Sequence, residues 1–490
     1  MALEQAPQIF AEQVSNGQLL QNIIYASGCA GGLLIIAGII LGDAGSIRRG
    51  NNFNSTIEKL VGFFITFGFY YVVGFGIWVS QYYMMYQGAD YPADVAFWDA
   101  IDAWWVGGDM MNSLAQHIDP AIFPGMNNFQ IFVFFLAVFT GLINLLLHMS
   151  VGERMKASAF YVTCLVTTIV SAFLSQWTWG SVGWLSNAGY QDFFGAGFVY
   201  LFPAGMAVVF AKVLGQRPGM FSAHPKVPAY IVPNMGMAVA GVATIFAGFP
   251  LVIIACMFFF DPGALGYSIT MADTSTGMVL NNFGAAWAGG AIGGAAIAYA
   301  TKKYAYILLG PLAGHISGAS GFDIYLPWEI FLVGFGGAFI AYLVYEATLK
   351  MNIDDHKVIP LLGGCGIYGL LMVGLIHAGT PHGGFPGMEG DFALQHATVS
   401  LGMQAFGIAV CFGTGVVTAL VLIPILKLTT GLRVDEDDQA EGLDKVKWGV
   451  TSDVVPNLNP LGYEDDQAEG LDKVKWGGAS DVEPSLKPLG

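Results

Sequence analysis

Residues 280–301 read LNNFGAAWAGGAIGGAAIAYAT, and Lys302 and Lys303 follow at once. The stretch carries no charged side chain, and as an α-helix it is long enough to cross the hydrocarbon of a bilayer, which takes about 20 predominantly apolar residues. Its glycine pairs at 289–290 and 293–294 allow another helix backbone to approach closely. The stretch therefore predicts a transmembrane helix that packs tightly within a bundle.

The rest of the chain has the same character. Of its 490 residues, 55% are hydrophobic and 11% are charged, whereas a soluble domain carries charge on about a quarter of its residues. Most of the 66 glycines fall inside apolar runs, as at 334–337. Because backbone polar groups within a bilayer must be hydrogen-bonded internally, we predict an all-α polytopic protein of the cell membrane, either plasma or inner.

Eleven membrane spans are predicted from the lengths of the apolar runs. The spans lie near residues 19–42, 57–80, 129–149, 158–178, 191–213, 230–259, 280–301, 304–320, 327–349, 358–379 and 397–427. They predict a membrane domain over residues 19–430. An extracytoplasmic N-terminus at 1–18 precedes this domain, and a cytoplasmic tail at 431–490 follows it.

Basic residues predict the orientation of the spans. Lys and Arg are enriched in cytoplasmic loops, and all 19 of them fall on one side when the spans are taken alternately. Those before the tail are Arg48, Arg49, Lys59, Arg154, Lys156, Lys212, Arg217, Lys226, Lys302, Lys303, Lys350, Lys357 and Lys427. The N-terminus is then outside and the tail inside. The loops on the opposite side are acidic. Their carboxylates either form a negative field that concentrates cations at the outer mouth or are ordinary loop residues without such a role.

The tail is acidic and contains a tandem repeat. Residues 435–462 are nearly repeated at 463–490, a unit of 28 residues, and EDDQAEGLDKVKWG occurs unchanged at 436–449 and 464–477. Two copies of one peptide can bind a symmetric partner with avidity; the alternative is a neutral duplication. Few aromatic residues and many acids predict weak order over most of the tail.

Four motifs match a single family of membrane proteins. Residues 45–52, GSIRRGNN, look like that family's Gly-x-x-Arg-x-Lys-Asn turn, and GER at 152–154 closes the third span as in the family. DFFG at 192–195 is similar to its Asp-Phe-Ala-Gly, and GLRV at 431–434 with EGLD at 441–444 is close to its tail motif. In order, spacing and topology the chain resembles the Amt/Mep/Rh ammonium transporter family across its whole membrane part.

The resemblance implies a homotrimer of eleven-helix subunits, each with its own narrow hydrophobic pore for ammonium or ammonia. In the family an outer aromatic site attracts ammonium by cation–π interaction, worth about 0.5–2 kcal/mol. A charge at the bilayer centre costs about 3 to more than 10 kcal/mol, so this attraction cannot cover the crossing. Family members separate the proton from ammonia and pass both along a pore lined by two hydrogen-bonded histidines.

Four residues match the family's outer site and gate. Phe139 and Phe135 fall, counting back from Glu153, at the gate phenylalanine and the aromatic residue one turn before it, and their spacing puts them on one helix face. Ordinary packing of two aromatic side chains is the alternative. Trp179 resembles the tryptophan of the outer cation site, one residue further from Asp192 than in the family. Asp192 resembles the acid that supports that site, and it is equally suited to cap the fifth helix.

Tyr200 and Leu362 stand at the family's two histidine positions. A tyrosine hydroxyl can donate and accept a hydrogen bond, but leucine can relay no proton. In the sixth span, LVIIAC at 251–256 replaces the family's GFNAGS, so the second gate phenylalanine and the serine of the cation site are missing. We therefore expect impaired proton relay and less electrogenic transport than in a typical member.

The eight histidines offer no replacement that spacing demonstrates. His315 falls in the eighth span and His148 in the third, and a single histidine in a helix is usually a packing residue. His377, His382 and His396 surround an outer loop without the spacing of a metal-binding motif. We predict no metal site and no cofactor.

The sequence thus predicts transmembrane transport of ammonium, ammonia or a similarly small solute. The alternative is a non-conducting sensor or scaffold whose tail binds a cytoplasmic partner. In the family that tail region meets a regulatory trimer of the PII type, although the KVKW at 445–448 departs from the usual continuation. No P-loop, dinucleotide fingerprint or nucleophile elbow is found, so no enzymatic activity is predicted. Beyond the substrate and the lipid bilayer, no nucleic-acid partner is expected.

Overall fold

The computed structural model describes residues 16–86, 91–113, 126–180, 182–221, 227, 232–258, 267–268, 274–384 and 389–450. Most of the predicted N-terminal segment at 1–18 therefore lies outside the described residues. So does the tail beyond residue 450, which includes the whole second copy of the repeat.

Long apolar helices make up most of the described chain. The helices are α1 (Asn16–Ala44), α2 (Arg49–Phe69), α3 (Phe75–Tyr86), α4 (Ala93–Trp104), α5 (Met126–Val151), α6 (Ala157–Thr178), α7 (Trp184–Asn187), α8 (Phe202–Leu214), α9 (Met235–Ala255), α10 (Thr276–Thr301), α11 (Tyr306–Gly318), α12 (Pro327–Lys350), α13 (Gly366–Ile376), α14 (Leu401–Thr429), α15 (Glu436–Glu441) and α16 (Leu443–Trp448). Three π-helical segments, Tyr70–Gly74, Gly197–Leu201 and Val358–Cys365, lead directly into α3, α8 and α13.

Four two-residue strands form two antiparallel pairs. β1 (Met257–Phe258) pairs with β2 (Tyr267–Ser268), and β3 (Pro381–His382) pairs with β4 (Ala397–Thr398). Both pairs lie in connections between long helices and leave the helical architecture unchanged.

Ten segments of the described chain are long and apolar enough to cross a membrane. They coincide with all the predicted spans except 304–320. That span is represented by α11, which has 13 residues and continues into a 3-10 turn, Ala319–Gly321. The all-α membrane fold is therefore confirmed. The number eleven and the orientation stay predictions.

Exposure separates a central helix from the outer ones. α5 is buried over most of its length, as expected for a helix that is apolar on every face. The outer helices instead expose large apolar side chains, such as Phe64, Leu343 and Leu428, which are 59%, 59% and 88% exposed. These side chains form the surface that the bilayer would cover.

Glycines set the closest helix contacts. A Cβ added to Gly290 would lie 2.3 Å from the carbonyl oxygen of Gly310, and one added to Gly289 would lie 2.1 Å from that of Phe331. A Cβ on Gly334 would meet the backbone of α10 at 2.4 Å. α10 is therefore in direct backbone contact with α11 on one side and α12 on the other. The close packing predicted for both glycine groups is confirmed.

Buried ion pairs join the helix ends at one end of the bundle. Arg217 contacts Asp354 (Nη2–Oδ1, 2.7 Å) and Glu153 (Nη1–Oε1, 3.0 Å). Lys59 and Lys357 each place Nζ 2.5 Å from a carboxylate oxygen of Asp43. The basic partners all belong to the set predicted to lie on the cytoplasmic side. These contacts fix the ends of α1, α2, α5 and α8 relative to the segment that precedes α13.

The charge of Asp354 is stabilised by two guanidinium groups. Burial on its own raises the pKa of this carboxyl, but Arg217 and then Arg154 lower it, and the resulting pKa is well below the ordinary value. A carboxyl with a lowered pKa contributes stability above its ordinary pKa and loses that contribution as the pH falls through the lowered value. The ion pair is therefore fully formed at neutral pH.

The first copy of the repeated tail peptide packs against this same end. The backbone N–H of Val434 donates to the carbonyl of Arg154 (2.8 Å), and that of Lys156 donates to the carbonyl of Leu432 (2.9 Å). α15 and α16 follow, and α16 lies against the start of α2. The described part of the tail, to residue 450, is thus helical and docked.

Gly290→Ala should destabilise the bundle, because the added methyl group meets a backbone oxygen that cannot move alone. Overpacking of this kind costs about 1–3 kcal/mol. The unfolding temperature of the detergent-solubilised protein should fall. Gly284→Ala is the matched control, since a Cβ at Gly284 on the same helix meets nothing within 4 Å. It should keep or slightly raise that temperature, because alanine favours helix. Equal effects of the two substitutions would contradict the backbone contact.

Arg217→Met should destabilise the protein by about 3–5 kcal/mol at pH 7, because Glu153 loses its guanidinium partner and Asp354 loses the nearer of two. The loss should shrink as the pH falls towards 5, since the unpaired carboxyls can then bind protons. Thermal unfolding followed by intrinsic fluorescence at several pH values measures both effects. Lys445→Met is the control, because its partner Glu441 is exposed and such pairs contribute little. A loss that grows at low pH would refute the assignment.

Candidate functional site

An aromatic cluster lies where α5 meets the end of α6. Phe132, Phe135 and Phe139 project from α5 at spacings of three and four residues, so they share one face of the helix. The rings of Phe135 and Phe139 have centroids 4.8 Å apart. The Trp179 ring is nearly parallel to that of Phe132, and their centroids are 6.1 Å apart. The centroids of Trp179 and Phe139 are 5.9 Å apart. Three of the four predicted outer-site residues are thus in one buried cluster.

Backbone contacts hold Trp179 and Asp192 in place. The indole N–H of Trp179 donates to the carbonyl of Phe193 (2.9 Å). The Asp192 carboxylate accepts from the backbone N–H groups of Ala196 (2.5 Å) and Gly197 (2.8 Å), where the helical segment leading into α8 begins. This is the contact of a helix cap, which binds N–H groups that the helix leaves free. The fourth predicted residue is therefore held beside the cluster by the start of that segment.

Both positions predicted for the pore centre lie in π-helical segments. Tyr200 belongs to Gly197–Leu201 and Leu362 to Val358–Cys365, and the two segments contact each other. π-Helical turns are rare and are frequent at functional sites. Both side chains are buried, at 3% and 4% exposure. Leu362 contributes an apolar wall, while Tyr200 brings a hydroxyl group into the interior.

His315 of α11 is the hydrogen-bond partner of Tyr200. The distance between Tyr200 Oη and His315 Nε2 is 3.1 Å, and the tautomer of the imidazole decides which group donates. A histidine in a helix was expected to be a satisfied packing residue, and the contact with Tyr200 identifies the side chain that satisfies it. Gly310 and Gly314 were the sequence signal that His315 lies in the interior, because they bring α11 into direct backbone contact with α10.

Aromatic rings enclose the imidazole of His315. The nearest is Phe249, stacked with a centroid distance of 3.7 Å. The other ring centroids lie at 5.3 Å for Phe194, 5.4 Å for Phe322, 5.8 Å for Phe283 and 6.1 Å for Trp287. Among the described residues, His315 Nδ1 is buried and has no hydrogen-bond partner. One imidazole nitrogen therefore makes no hydrogen bond inside a cage of aromatic rings, and the faces of such rings attract cations.

Phe194 connects the outer cluster to this cage. Its ring lies 5.6 Å from that of Phe139 on one side and 5.3 Å from His315 on the other. Phe194 directly follows Phe193, whose carbonyl group binds Trp179, so the same stretch of backbone positions both regions. The predicted outer site and the observed Tyr200–His315 pair are thus parts of one continuous aromatic region.

A cavity lies beside the π-helical segment Val358–Cys365, which contributes Leu361 to its lining. Its lining includes Ile39, Asp43, Met149, His356, Lys357 and Leu361. The wall is mostly apolar, and the charged residues lie in the buried ion network at the basic end of the bundle. Burial, followed by the positive charges of Arg217 and Lys357, lowers the pKa of His356 well below its ordinary value. His356 is therefore neutral at physiological pH.

The outer-loop histidines have separate surroundings. His377 Nε2 lies 3.0 Å from Glu329 Oε2, and His396 Nε2 lies 3.2 Å from the carbonyl oxygen of Asn187. Burial lowers the pKa of His382 to about 4. Within the described ranges, no three His, Cys, Asp or Glu side chains come together in a way that could hold a metal ion.

Comparison with known proteins identifies the family. A family model described as Ammonium Transporter Family matches residues 25–452. The chain is 25% identical over 460 residues to the ammonium transporter Amt2 of Archaeoglobus fulgidus, covering 88% of this chain and 87% of that protein. It is 26% identical over 419 residues to the ammonium transporter Amt1 of Methanocaldococcus jannaschii, covering 83% of this chain and 90% of the relative.

Solved structures share the fold. One described as a sensor Amt protein has a TM-score of 0.67 at 19% identity, covering 88% of this chain and 98% of its own. Mep2 of Saccharomyces cerevisiae has a TM-score of 0.59 at 16% identity, covering 85% of this chain and 90% of its own. The family match spans nearly all of the described membrane domain, and the fold agrees with it. The chain is a multi-pass membrane protein that belongs to the ammonium transporter family.

Proposed function

We propose that the chain moves ammonium or ammonia across the bilayer through a pore of its own, with Tyr200 and His315 forming the polar step at the pore centre. The 3.1 Å contact between Tyr200 Oη and His315 Nε2 carries this proposal. Phe194 links the pair to the outer aromatic cluster, and Leu312, three residues before His315 on α11, belongs to the lining of the cavity. The relatives named above are ammonium transporters, which supports the choice of substrate.

The pair suits a small molecule that can both donate and accept hydrogen bonds. A neutral imidazole accepts at one nitrogen and donates at the other, and a tyrosine hydroxyl does both. A polar molecule that enters an apolar site without a hydrogen bond loses about 2–7 kcal/mol. Nδ1 of His315 offers such a bond at the point where the molecule has left water. A molecule that makes this bond recovers part of the cost of leaving water.

The pair also gives the pore a polar connection that Leu362 cannot provide. In the family the connection runs between two histidines. Here it runs from Tyr200 to α11, and Leu362 is proposed as the apolar wall opposite. One hydrogen-bonded step can pass a proton along its axis, but it is shorter than a path through two imidazoles. We therefore propose that neutral ammonia passes more readily than net charge.

The remaining parts of the proposal follow the family resemblance. Phe135, Phe139 and Trp179, supported by Asp192, form the outer site and gate through which ammonium arrives. The functional unit is a homotrimer, with the N-terminus outside and the tail in the cytoplasm. The tail is proposed to meet a cytoplasmic regulator of the PII type. No catalytic conversion of the substrate is involved.

Tyr200→Phe should reduce ammonium-driven flux by roughly five- to a hundredfold, because His315 is left buried without its partner, a loss worth about 1–3 kcal/mol. The measurement uses purified protein in liposomes, with internal pH and current followed after an ammonium gradient is imposed. A pH change without current would identify neutral ammonia as the permeating species. His315→Ala should reduce the flux in the same way.

Tyr325→Phe is the matched control, because it removes a buried tyrosine hydroxyl that has no hydrogen-bond partner among the described residues. Its flux should equal that of the wild type. Wild-type flux no greater than that of empty liposomes would reject transport and favour the sensor or scaffold. Wild-type flux that persists in Tyr200→Phe would reject the role of the pair.

A further inference from the structure

The first copy of the repeated peptide, residues 436–449, occupies a defined dock on the membrane domain. We use the name tail dock for residues 50–58 at the start of α2. The Asp444 carboxylate accepts from the backbone N–H groups of Phe53 (3.1 Å) and Asn54 (2.8 Å). The backbone N–H of Leu443 donates to Asn51 Oδ1 (2.8 Å), and the Leu443 side chain is buried. The dock thus binds the Asp444 side chain and the backbone N–H of the residue before it.

The end of the first copy adds a charge pair and an aromatic contact. Lys447 Nζ lies 2.9 Å from Glu58 Oε1, and the Glu58 side chain is only 4% exposed. The indole N–H of Trp448 donates to Asn54 Oδ1 (3.1 Å), and the Trp448 ring meets that of Phe53 edge to face at 5.7 Å. Three side chains and one backbone N–H of a short peptide therefore provide the contacts with the dock.

The second copy carries every one of these side chains. Residues 464–477 repeat residues 436–449 without a change, so Leu471, Asp472, Lys475 and Trp476 correspond to Leu443, Asp444, Lys447 and Trp448. Each chain has two copies of the peptide but one segment 50–58. Two identical peptides are thus matched by a single dock.

We propose that residues 464–477 are an alternative occupant of the tail dock of their own chain. They replace the first copy when it leaves. The anchor at Val434 and Leu432 remains, and residues 435–463 then form the linker. A flexible linker of that length spans roughly 30 Å on average. The second copy is thus held near the dock at a high effective concentration.

The residues that precede the two copies differ, and the difference favours binding of the first copy to the dock. Asp435 caps α15 by accepting from the backbone N–H of Asp437 (2.9 Å). The equivalent residue of the second copy is Tyr463, which has no oxygen suited to capping. The second copy also lacks a preceding GLRV, the segment that pairs with the backbone at Arg154 and Lys156. The first copy is therefore the resting occupant, and the second takes over only when the first is displaced.

Replacement by the second copy keeps the dock occupied. Without a tail peptide, the buried carboxylate of Glu58 loses its lysine partner, and the N–H groups at Phe53 and Asn54 lose the carboxylate. If a partner withdrew the first copy, Lys475 would restore the contact with Glu58, and Asp472 would restore the contacts with the N–H groups. The duplication thus makes occupancy of the dock robust to removal of one peptide.

Photo-cross-linking from position 53 of the full chain tests this proposal. A benzoylphenylalanine at that position faces Trp448. In the unaltered tail trypsin separates the two tryptophans into peptides 448–473 and 476–490, and fragmentation of each peptide locates the cross-linked residue. The unaltered tail should cross-link mainly to the peptide carrying Trp448. Asp444→Ala/Lys447→Ala should shift the cross-link at least tenfold towards the peptide carrying Trp476. Failure of that peptide to appear overturns the proposal.

The matched control places the same substitutions in the second copy. Asp472→Ala/Lys475→Ala should leave the Trp448 cross-link unchanged, and all four substitutions together should abolish both cross-links. Gel filtration of each variant confirms folding. Cross-links within one chain keep it at monomer mass on a denaturing gel. A covalent dimer carrying the Trp476 peptide would assign the second copy to a neighbouring chain and overturn the same-chain proposal. The readout does not depend on whether the pore conducts.

Discussion

Direct backbone contact between α10 and α11 determines what lies at the centre of the molecule. A Cβ on Gly314 would be 2.2 Å from the carbonyl oxygen of Ala286, so no larger residue fits there. Gly314 immediately precedes His315, and the contact therefore sets how far the imidazole projects towards Tyr200. In a bilayer, which offers no water to buried polar groups, that hydrogen bond must come from within the protein. Helix packing and pore chemistry thus depend on the same few small residues.

The fold could be predicted because its rules are local. Apolar run length, glycine placement and the distribution of Lys and Arg each depend on a short stretch of sequence, and they led to helices that the structure contains. The eighth predicted span was longer than the helix observed there. Counting apolar residues from 304 to 320 cannot show that the helix ends at Gly318 and continues as a 3-10 turn, because Ala319 and Ser320 are compatible with both conformations.

Helix geometry alone predicted the proximity of site residues only where they share a helix face, and Trp179 was added by the family resemblance. Phe135 and Phe139 are four residues apart, so their proximity follows from helix geometry. Tyr200 and His315 are 115 residues apart, and their contact depends on how α8, α11 and the π-helical segments are arranged. Counting along the chain from a motif led to Tyr200 and Leu362, but it could not reveal a hydrogen-bond partner supplied by a different helix.

α5 connects the aromatic cluster with the end of the bundle where the tail docks. At one end it carries Phe132, Phe135 and Phe139, and near the other it carries His148, which lies 3.3 Å from the same Glu58 that binds the tail. The helix is continuous between them and surrounded by protein, and from Phe139 to His148 it spans roughly 14 Å. One continuous helix therefore joins the residue beside Glu58 to the aromatic cluster, so a tilt or shift of the whole helix displaces both.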